Sequence, residues 1–260
     1  MKSIIISFLI VSLFSCTDTS NSPDMPGTYL MKSQTLYDGT KDTKLNSLKQ
    51  LKIYTDSFFM YSQVNPADSV SAFGVGSYTP GKESVTENVI YSASDSTLGK
   101  PISYKLEIEK DQDGYKQVIP EIVVQGEKSK LTEEYQEVGH SAKTPLDGLW
   151  KEVKSYNIRG KDTIMNVRTQ YKTYYDGYFM FGHTVKDSTS KTIVGIGFGT
   201  FEMKSDNQIK ETDLNSTYSI IAGNTFDVDV EMESPDKYRQ MIHNADGTIG
   251  VEYYERLKKQ

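Results

Sequence analysis

The chain is 260 residues long, 37% hydrophobic and 25% charged, with one cysteine, one tryptophan and 18 tyrosines. Its 35 acidic side chains outnumber 29 basic ones, and the resulting formal charge of −6 repels nucleic acid and anionic lipid headgroups. A single thiol cannot close an internal disulfide.

Met1-Lys2-Ser3 is a short positive start, Ile4 to Phe14 is an uncharged apolar run, and Ser15 and Cys16 follow. A run this short falls below the roughly 20 residues that span a bilayer as a helix. A basic start, a short apolar core and a small residue at the cut form the signal-peptide pattern. Leu13-Phe14-Ser15-Cys16 resembles the bacterial lipobox, departing from it in the bulky Phe14. The resemblance implies removal of residues 1–15, a diacylglyceryl group on the Cys16 thiol, and acyl chains such as palmitate holding the protein to the cell envelope, at the outer membrane. Each buried methylene contributes about 0.8 kcal/mol, so two or three chains anchor firmly where one does not. An acylated Cys16 excludes cysteine proteases, thiol redox enzymes and Cys-ligated zinc. Cleavage takes one lysine, leaving 245 residues with 28 basic against 35 acidic side chains, a formal charge of −7.

Residues 16–26 read as a lipidated tether of Ser, Thr, Asp, Asn and Pro, with Met25 as their one large apolar side chain beyond Cys16. Beyond it the chain says the same thing twice. Gly27-Thr28-Tyr29 answers to Gly148-Leu149-Trp150, and Tyr54-Thr55-Asp56-Ser57-Phe58-Phe59-Met60 to Tyr174-Tyr175-Asp176-Gly177-Tyr178-Phe179-Met180. Phe73-Gly74-Val75-Gly76-Ser77-Tyr78 matches Ile196-Gly197-Phe198-Gly199-Thr200-Phe201, and Tyr115-Lys116-Gln117-Val118-Ile119 matches Tyr238-Arg239-Gln240-Met241-Ile242. Glu134 to Val138 parallels Tyr253 to Leu257. Five blocks in one order define two units, 27–138 and 148–260, joined by a small, polar, Pro-bearing linker at 139–147.

Within each unit the period is two. Tyr104 to Glu109 and Phe226 to Glu233 alternate apolar with polar, as half-buried antiparallel strands do. Turn signals punctuate them at Asp38-Gly39, Pro80-Gly81, Asp113-Gly114, Asp176-Gly177, Ala222-Gly223-Asn224 and Asp246-Gly247. The expected fold is all-β: two consecutive small antiparallel barrels, since closure removes exposed edges.

These blocks resemble the lipocalin-like, calycin-type domains of exported Bacteroidetes proteins. That family opens with Gly-x-Trp, continues through a Tyr-x-Asp-Gly-x-Phe-Met hairpin and a Gly-x-Gly strand, and closes on a strand bearing Arg. The second unit matches through Trp150, Asp176, Gly177, Phe179, Met180, Gly197, Gly199 and Arg256. The first departs at Tyr29, Ser57 and Glu137. The resemblance implies a barrel and leaves activity open.

Several constellations invite a sharper reading. Gly195-Ile196-Gly197-Phe198-Gly199 lacks the following helix that a phosphate-binding loop needs, and glycines in a strand more often make room for a ring next door. Asp56 and Asp176 fit turn-fixing carboxylates better than general acids. Asp227, Asp229 and Glu231 read as a solvated strand face rather than a calcium site, because alternate strand residues point outward in parallel. His140, His183 and His243 are too scattered for a zinc motif. No metal and no cofactor is expected.

The interior aromatics carry the functional expectation, and Trp150, Tyr174, Phe179, Phe198 and Phe226 are the candidate ligand-binding residues. The expected function is a non-catalytic, membrane-anchored lipoprotein that binds a small apolar or amphipathic ligand in a barrel whose cavity reaches about 300 Å³. The alternatives are an accessory lipoprotein with filled barrels that contacts an envelope protein and, behind it, an envelope hydrolase.

Overall fold

In a computed structural model, residues 22–45, 47–65, 70–93, 102–124 and 126–259 are described; the export signal and Cys16 lie outside them. Among these residues every regular element is a strand. The first unit comprises β1 (Gly27–Tyr37), β2 (Asp42–Lys44), β3 (Lys49–Tyr54), β4 (Phe58–Asn65), β5 (Val70–Gly81), β6 (Ser84–Ser92), β7 (Ile102–Lys110), β8 (Gly114–Val124) and β9 (Glu127–Glu137). The second repeats it with β10 (Gly148–Arg159), β11 (Asp162–Met165), β12 (Thr169–Tyr175), β13 (Tyr178–Lys186), β14 (Thr192–Ser205), β15 (Gln208–Ser216), β16 (Thr225–Ser234), β17 (Lys237–His243) and β18 (Ile249–Arg256).

Consecutive strands pair antiparallel, and β1–β9 and β10–β18 pairings close each sheet into an eight-stranded barrel. The short β2 and β11 extend β1 and β10 at their far ends. The two copies share two irregularities as well. Bulges fall between Met31 and Ser33 and between Glu152 and Lys154 in the closing pairs, and between Val75 and Gly76 and between Phe198 and Gly199 in the fifth strands. Bulges bend a strand and raise its twist, which a barrel this small requires to close.

Both barrels are stoppered at the end where the chain enters. Tyr29 and Trp150 are fully buried there. Tyr29 donates its hydroxyl to the Met25 carbonyl at 3.1 Å, and Trp150 donates its indole N–H to the Leu146 carbonyl at 2.7 Å. Met25 and Leu146 therefore belong to the two barrel cores, 0% and 1% exposed, instead of to tether and linker as the sequence suggests. The module thus begins before its glycine. Arg256 lies over the Trp150 ring at 4.0 Å and donates to the carbonyls of Pro145 (2.8 Å) and Pro235 (3.0 Å), sealing that end.

The hairpin at Asp176-Gly177 has positive φ at both residues, 56° and 80°, the two-residue turn that suits strand twist. Asp176 also accepts the backbone N–H of Ser141 at 2.7 Å, which pins the linker against the closed end of the second barrel.

A third apolar cluster lies between the barrels. Leu51, Ile53, Met60, Phe73 and Val75 of the first unit meet Leu149, Tyr171, Met180, Ile196 and Phe198 of the second. Strands β3–β5 and β12–β14 are accordingly buried on both faces, one toward their own barrel and one toward the neighbour. Thr28 reaches the Tyr175 carbonyl at the closed ends, and Tyr91 bonds Thr184 at the opposite ends. The barrels stand side by side with their open mouths on the same face of the molecule.

Candidate functional site

Each barrel interior is layered. Aromatic rings fill the closed end: Tyr29, Tyr54, Tyr78 and Tyr115 in the first barrel, Trp150, Tyr174, Phe201 and Tyr238 in the second. They meet largely edge to face, as at Trp150–Tyr238, with centroids 4.7 Å apart and planes at 85°. Above them the interior turns polar, and it does so identically in the two copies.

In the second barrel, Lys172 sits two residues along β12 from Tyr174 and so shares its inward face. Its ammonium pairs with Glu211 at 2.7 Å and donates to Gln240 at 3.2 Å. The Tyr174 hydroxyl also donates to Glu211, at 2.6 Å. Gln240 passes the network to Glu252 at 2.7 Å, where the Tyr254 hydroxyl donates as well, at 2.5 Å. The first barrel reproduces this with Lys52–Glu87 at 2.7 Å, Lys52 to Gln117 at 3.2 Å, Tyr54 to Glu87, Gln117 to Glu133, and Tyr135 to Glu133 at 3.0 Å. A buried charge is tolerated only when paired and hydrogen-bonded, as the Lys52–Glu87 and Lys172–Glu211 pairs are, whereas Glu133 has neutral donors alone.

This polar layer is the floor of a cavity open at the barrel mouth. The first cavity, about 300 Å³, is lined by Gln34, Gln63, Tyr104, Ile119 and Leu131 above Lys52 and Glu133. The second, about 270 Å³, is lined by Phe179, Phe181, Phe226, Ile221 and Ile242 above Lys172, Glu211 and Glu252. The first volume sits at the lower limit of ligand clefts, which run from roughly 300 Å³ upward, and the second falls just below it. A wider open groove of about 1050 Å³ lies at the closed end, beneath linker residues Ala142 to Leu146 and beside Met203 and Met232. It contains no buried charge network, so the interior cavities are the stronger candidates.

The two cavities have diverged. Where β3 follows Leu48 in the first copy, β12 follows Arg168 in the second, and its guanidinium bridges Glu152 (2.7 Å) and Glu252 (2.6 Å). Burial works against the Glu252 charge, but Arg168 and Lys172 outweigh it and hold this carboxylate below its ordinary range. In the first barrel, burial dominates at the matching Glu133 and pushes it up, only partly opposed by Lys52. His183 occupies the place of Gln63, between Gln170 (3.1 Å) and Tyr218 (2.7 Å). Burial first, and then Arg168, drive its pKa down to about 4, so it is neutral near pH 7.

Asp213 is the sharpest difference. It pairs with Gly199 on the neighbouring strand as Val89 pairs with Gly76 in the first copy. It lines the second cavity, is 3% exposed, and its Oδ1 has no hydrogen-bond partner. Burial and then the nearby Glu211 raise its pKa to about 7, with Lys172 and the Asn215 backbone N–H compensating in part. The folded protein therefore takes up a proton at Asp213, between pH about 4 and about 7, that the unfolded chain does not hold. This carboxyl's contribution makes stability fall as pH rises through that window. Asp213→Asn should flatten this slope and stabilise the protein at pH 8 by about 1–3 kcal/mol, because the amide carries no charge to bury. Urea melts at pH 5 and pH 8 measure both, and an unchanged slope would refute the assignment.

Of the five expected ligand residues, Phe179 and Phe226 line the second cavity. Tyr174 lies one layer below, reaching the cavity through its hydroxyl's bonds to Glu211 and Gln240. Trp150 stoppers the opposite end and cannot line it. Phe198 corrects the expectation outright, because it faces the other barrel. Strand parity explains why: Gly195 and Gly197 take the inner face of β14. There a Cβ at Gly195 would collide with His183 and Tyr218, and one at Gly197 with Phe181. These glycines make room for rings, and Ile196 and Phe198, which alternate with them, must point outward.

Asp227, Asp229 and Glu231 lie on the outer face of β16, where Asp229 meets His243 at 3.0 Å and Glu231 pairs with Arg239. His140 and His243 are exposed. Among the described residues no cluster of three or more His, Cys, Asp or Glu side chains could hold a metal ion.

Fold and site together define a tandem all-β protein of two closed up-and-down barrels, each with a charged floor beneath an open cavity. No family model and no curated protein matches the chain. Among solved structures it is similar to an uncharacterised protein from Bacteroides eggerthii, at 10% identity and a TM-score of 0.29 over 44% of this chain and 100% of that one. It is also similar to a DUF3598-family protein of unknown function from Nostoc punctiforme, at 12% identity and a TM-score of 0.28 over 89% of this chain and 96% of that one. Neither likeness carries a functional argument.

Proposed function

We propose that this protein is a lipid-anchored, lipocalin-like binding protein of the cell envelope, and that the second barrel takes a small amphipathic ligand. The observation that carries this reading is the cavity itself. An unfilled space of about 270 Å³, walled by Phe179, Phe181, Phe226 and Ile242 above a floor of fixed charges, suits a molecule with an apolar body and a polar head. A pair of filled barrels serving only as an adaptor would not keep this space.

The tether meets the first barrel at its stoppered end through Met25. A lipid on Cys16 would therefore turn both mouths away from the membrane, toward solutes. A hydrolytic reading draws on Asp213, a carboxyl poised near neutrality. It ranks second because Glu211 and Glu252, which would have to share the chemistry, are held by Lys172 and Arg168.

Native mass spectrometry of the protein purified from its own host's membranes tests the proposal. The expected spectrum shows loss of residues 1–15, an acyl mass on Cys16, and a retained small molecule at one copy per chain. An unprocessed, unacylated chain would overturn the anchor. A processed chain that carries no small molecule, and acquires none from a host extract, would overturn the binding role.

A further inference from the structure

We infer that the ligand of the second barrel carries a cationic amine, and that Asp213 is the residue that receives it. The inference rests on the binding role proposed above and specifies the chemistry of the ligand head.

The cavity's charges do not balance. Its two cations are committed, Lys172 to Glu211 at 2.7 Å and Arg168 to Glu252 at 2.6 Å, with Glu152 also on Arg168 at 2.7 Å. His183 is neutral and already bonded at both ring nitrogens, to Gln170 and Tyr218. That leaves acid in excess around the cavity floor, with Asp213 as the carboxyl lacking a charged partner of its own. Buried carboxylates are kept where something pairs with them, and a buried acid that replaces the valine of a sister module invites a partner from outside.

An ammonium group supplies both missing items, a positive charge and hydrogen-bond donors. A carboxylate ligand would add a further negative charge to a site already rich in them. The walls agree with a small arylalkyl or alkyl amine: Phe181, Phe226, Ile221 and Ile242 offer apolar surface, and aromatic faces attract a neighbouring cation. The first cavity has Val89 in the equivalent place, so it serves as an internal control.

The test uses full-length protein and three near-isosteric probes, 2-phenylethylamine, 2-phenylethanol and 3-phenylpropionate, in isothermal titration at pH 8 and pH 5.5. The expected result is one amine per chain, bound at least about tenfold more tightly than the alcohol, with no detectable binding of the carboxylate. Amine affinity should fall about tenfold or more at pH 5.5, as the group facing it takes up a proton. The other ionisable side chains that line the cavity are Glu211, Glu252, Lys172, Arg168, His183, Tyr218 and Tyr254, and Asp213→Asn isolates the part that Asp213 plays. That variant should keep the wild-type circular dichroism, lose the preference for amine over alcohol, and lose most of the pH dependence.

Equal binding of amine and alcohol, or an Asp213→Asn variant with unchanged amine affinity, would overturn the cationic head while leaving the cavity as a binding site. Failure of all three probes to bind would count against the binding role itself. Two amines per chain, both surviving in Asp213→Asn, would take the amine away from Asp213 and sink the assignment.

Discussion

Replacing Lys172 by methionine should destabilise the second barrel by about 3–5 kcal/mol, the cost of stranding a buried charge by removing its partner. Lys172 is 3% exposed, and its ammonium lies between Glu211 at 2.7 Å and the rings of Tyr174 and Phe179, 5.0 and 5.3 Å from their centroids. Methionine fills similar space, so the loss would report charge rather than volume. The Glu211 carboxylate would then keep the Tyr174 hydroxyl as a donor but no neutralising cation beside it. The decisive comparison is Lys172→Met with Glu211→Gln. Removing both charges should recover most of the loss, because a buried pair contributes little net stability over a neutral replacement. Urea denaturation of the two single variants and the double variant gives the coupling directly. A single-variant loss below about 1 kcal/mol, or no recovery in the double variant, would mean that the floor of the cavity is not a tight ionic layer. Lys52→Met with Glu87→Gln should behave alike in the first barrel, through the pair at 2.7 Å.

How much of this was legible in the sequence depends on the layer of the barrel in question. Strand character, closure and duplication could be read because period-two alternation and turn residues are local signals, and both copies carry them. The polar floor was equally present: Gln50-x-Lys52-x-Tyr54 recurs as Gln170-x-Lys172-x-Tyr174, and Glu133-x-Tyr135 as Glu252-x-Tyr254. It was missed because a lysine alternating with apolar residues ordinarily marks a solvated face. These strands reverse that rule. On β3 and β12 the apolar residues Leu51, Ile53 and Tyr171 face the other barrel, and Gln50, Lys52, Gln170 and Lys172 face inward. A strand buried on both sides offers no dry-versus-wet contrast to read. The same ambiguity misplaced Phe198, whose outward direction followed only from asking where Gly195 and Gly197 must point. Met25 and Leu146 were hidden differently. Each is a lone apolar residue in a polar segment, and its burial depends on the chain folding back over a barrel end, not on any local pattern.

The cluster between the barrels yields the other large expected effect. Phe73→Ala should cost about 3–5 kcal/mol, the usual loss for a large ring removed from a closed core. Phe73 is fully buried, stacks on Tyr91 with centroids 5.6 Å apart, and lies so close over Gly182 of the second barrel that no Cβ could fit there. The residue belongs to the first barrel in sequence, yet it packs into a cluster that both barrels build. An apolar interface of this kind couples two folding units, whereas a polar linker alone leaves them free to melt separately. Trp150 makes the distinction measurable, because it is the protein's one tryptophan and is buried in the second barrel. In Phe73→Ala, the Trp150 fluorescence transition should move to lower urea together with the far-ultraviolet dichroism of the whole chain. If the dichroism shifts while Trp150 reports an unchanged midpoint, the barrels unfold independently and the third cluster is only a contact. Coincident shifts would mean that the two mouths are held in a fixed relation by a core shared at their flanks. A ligand bound in the second cavity would then stabilise the first barrel as well, by the same free energy that it lends its own.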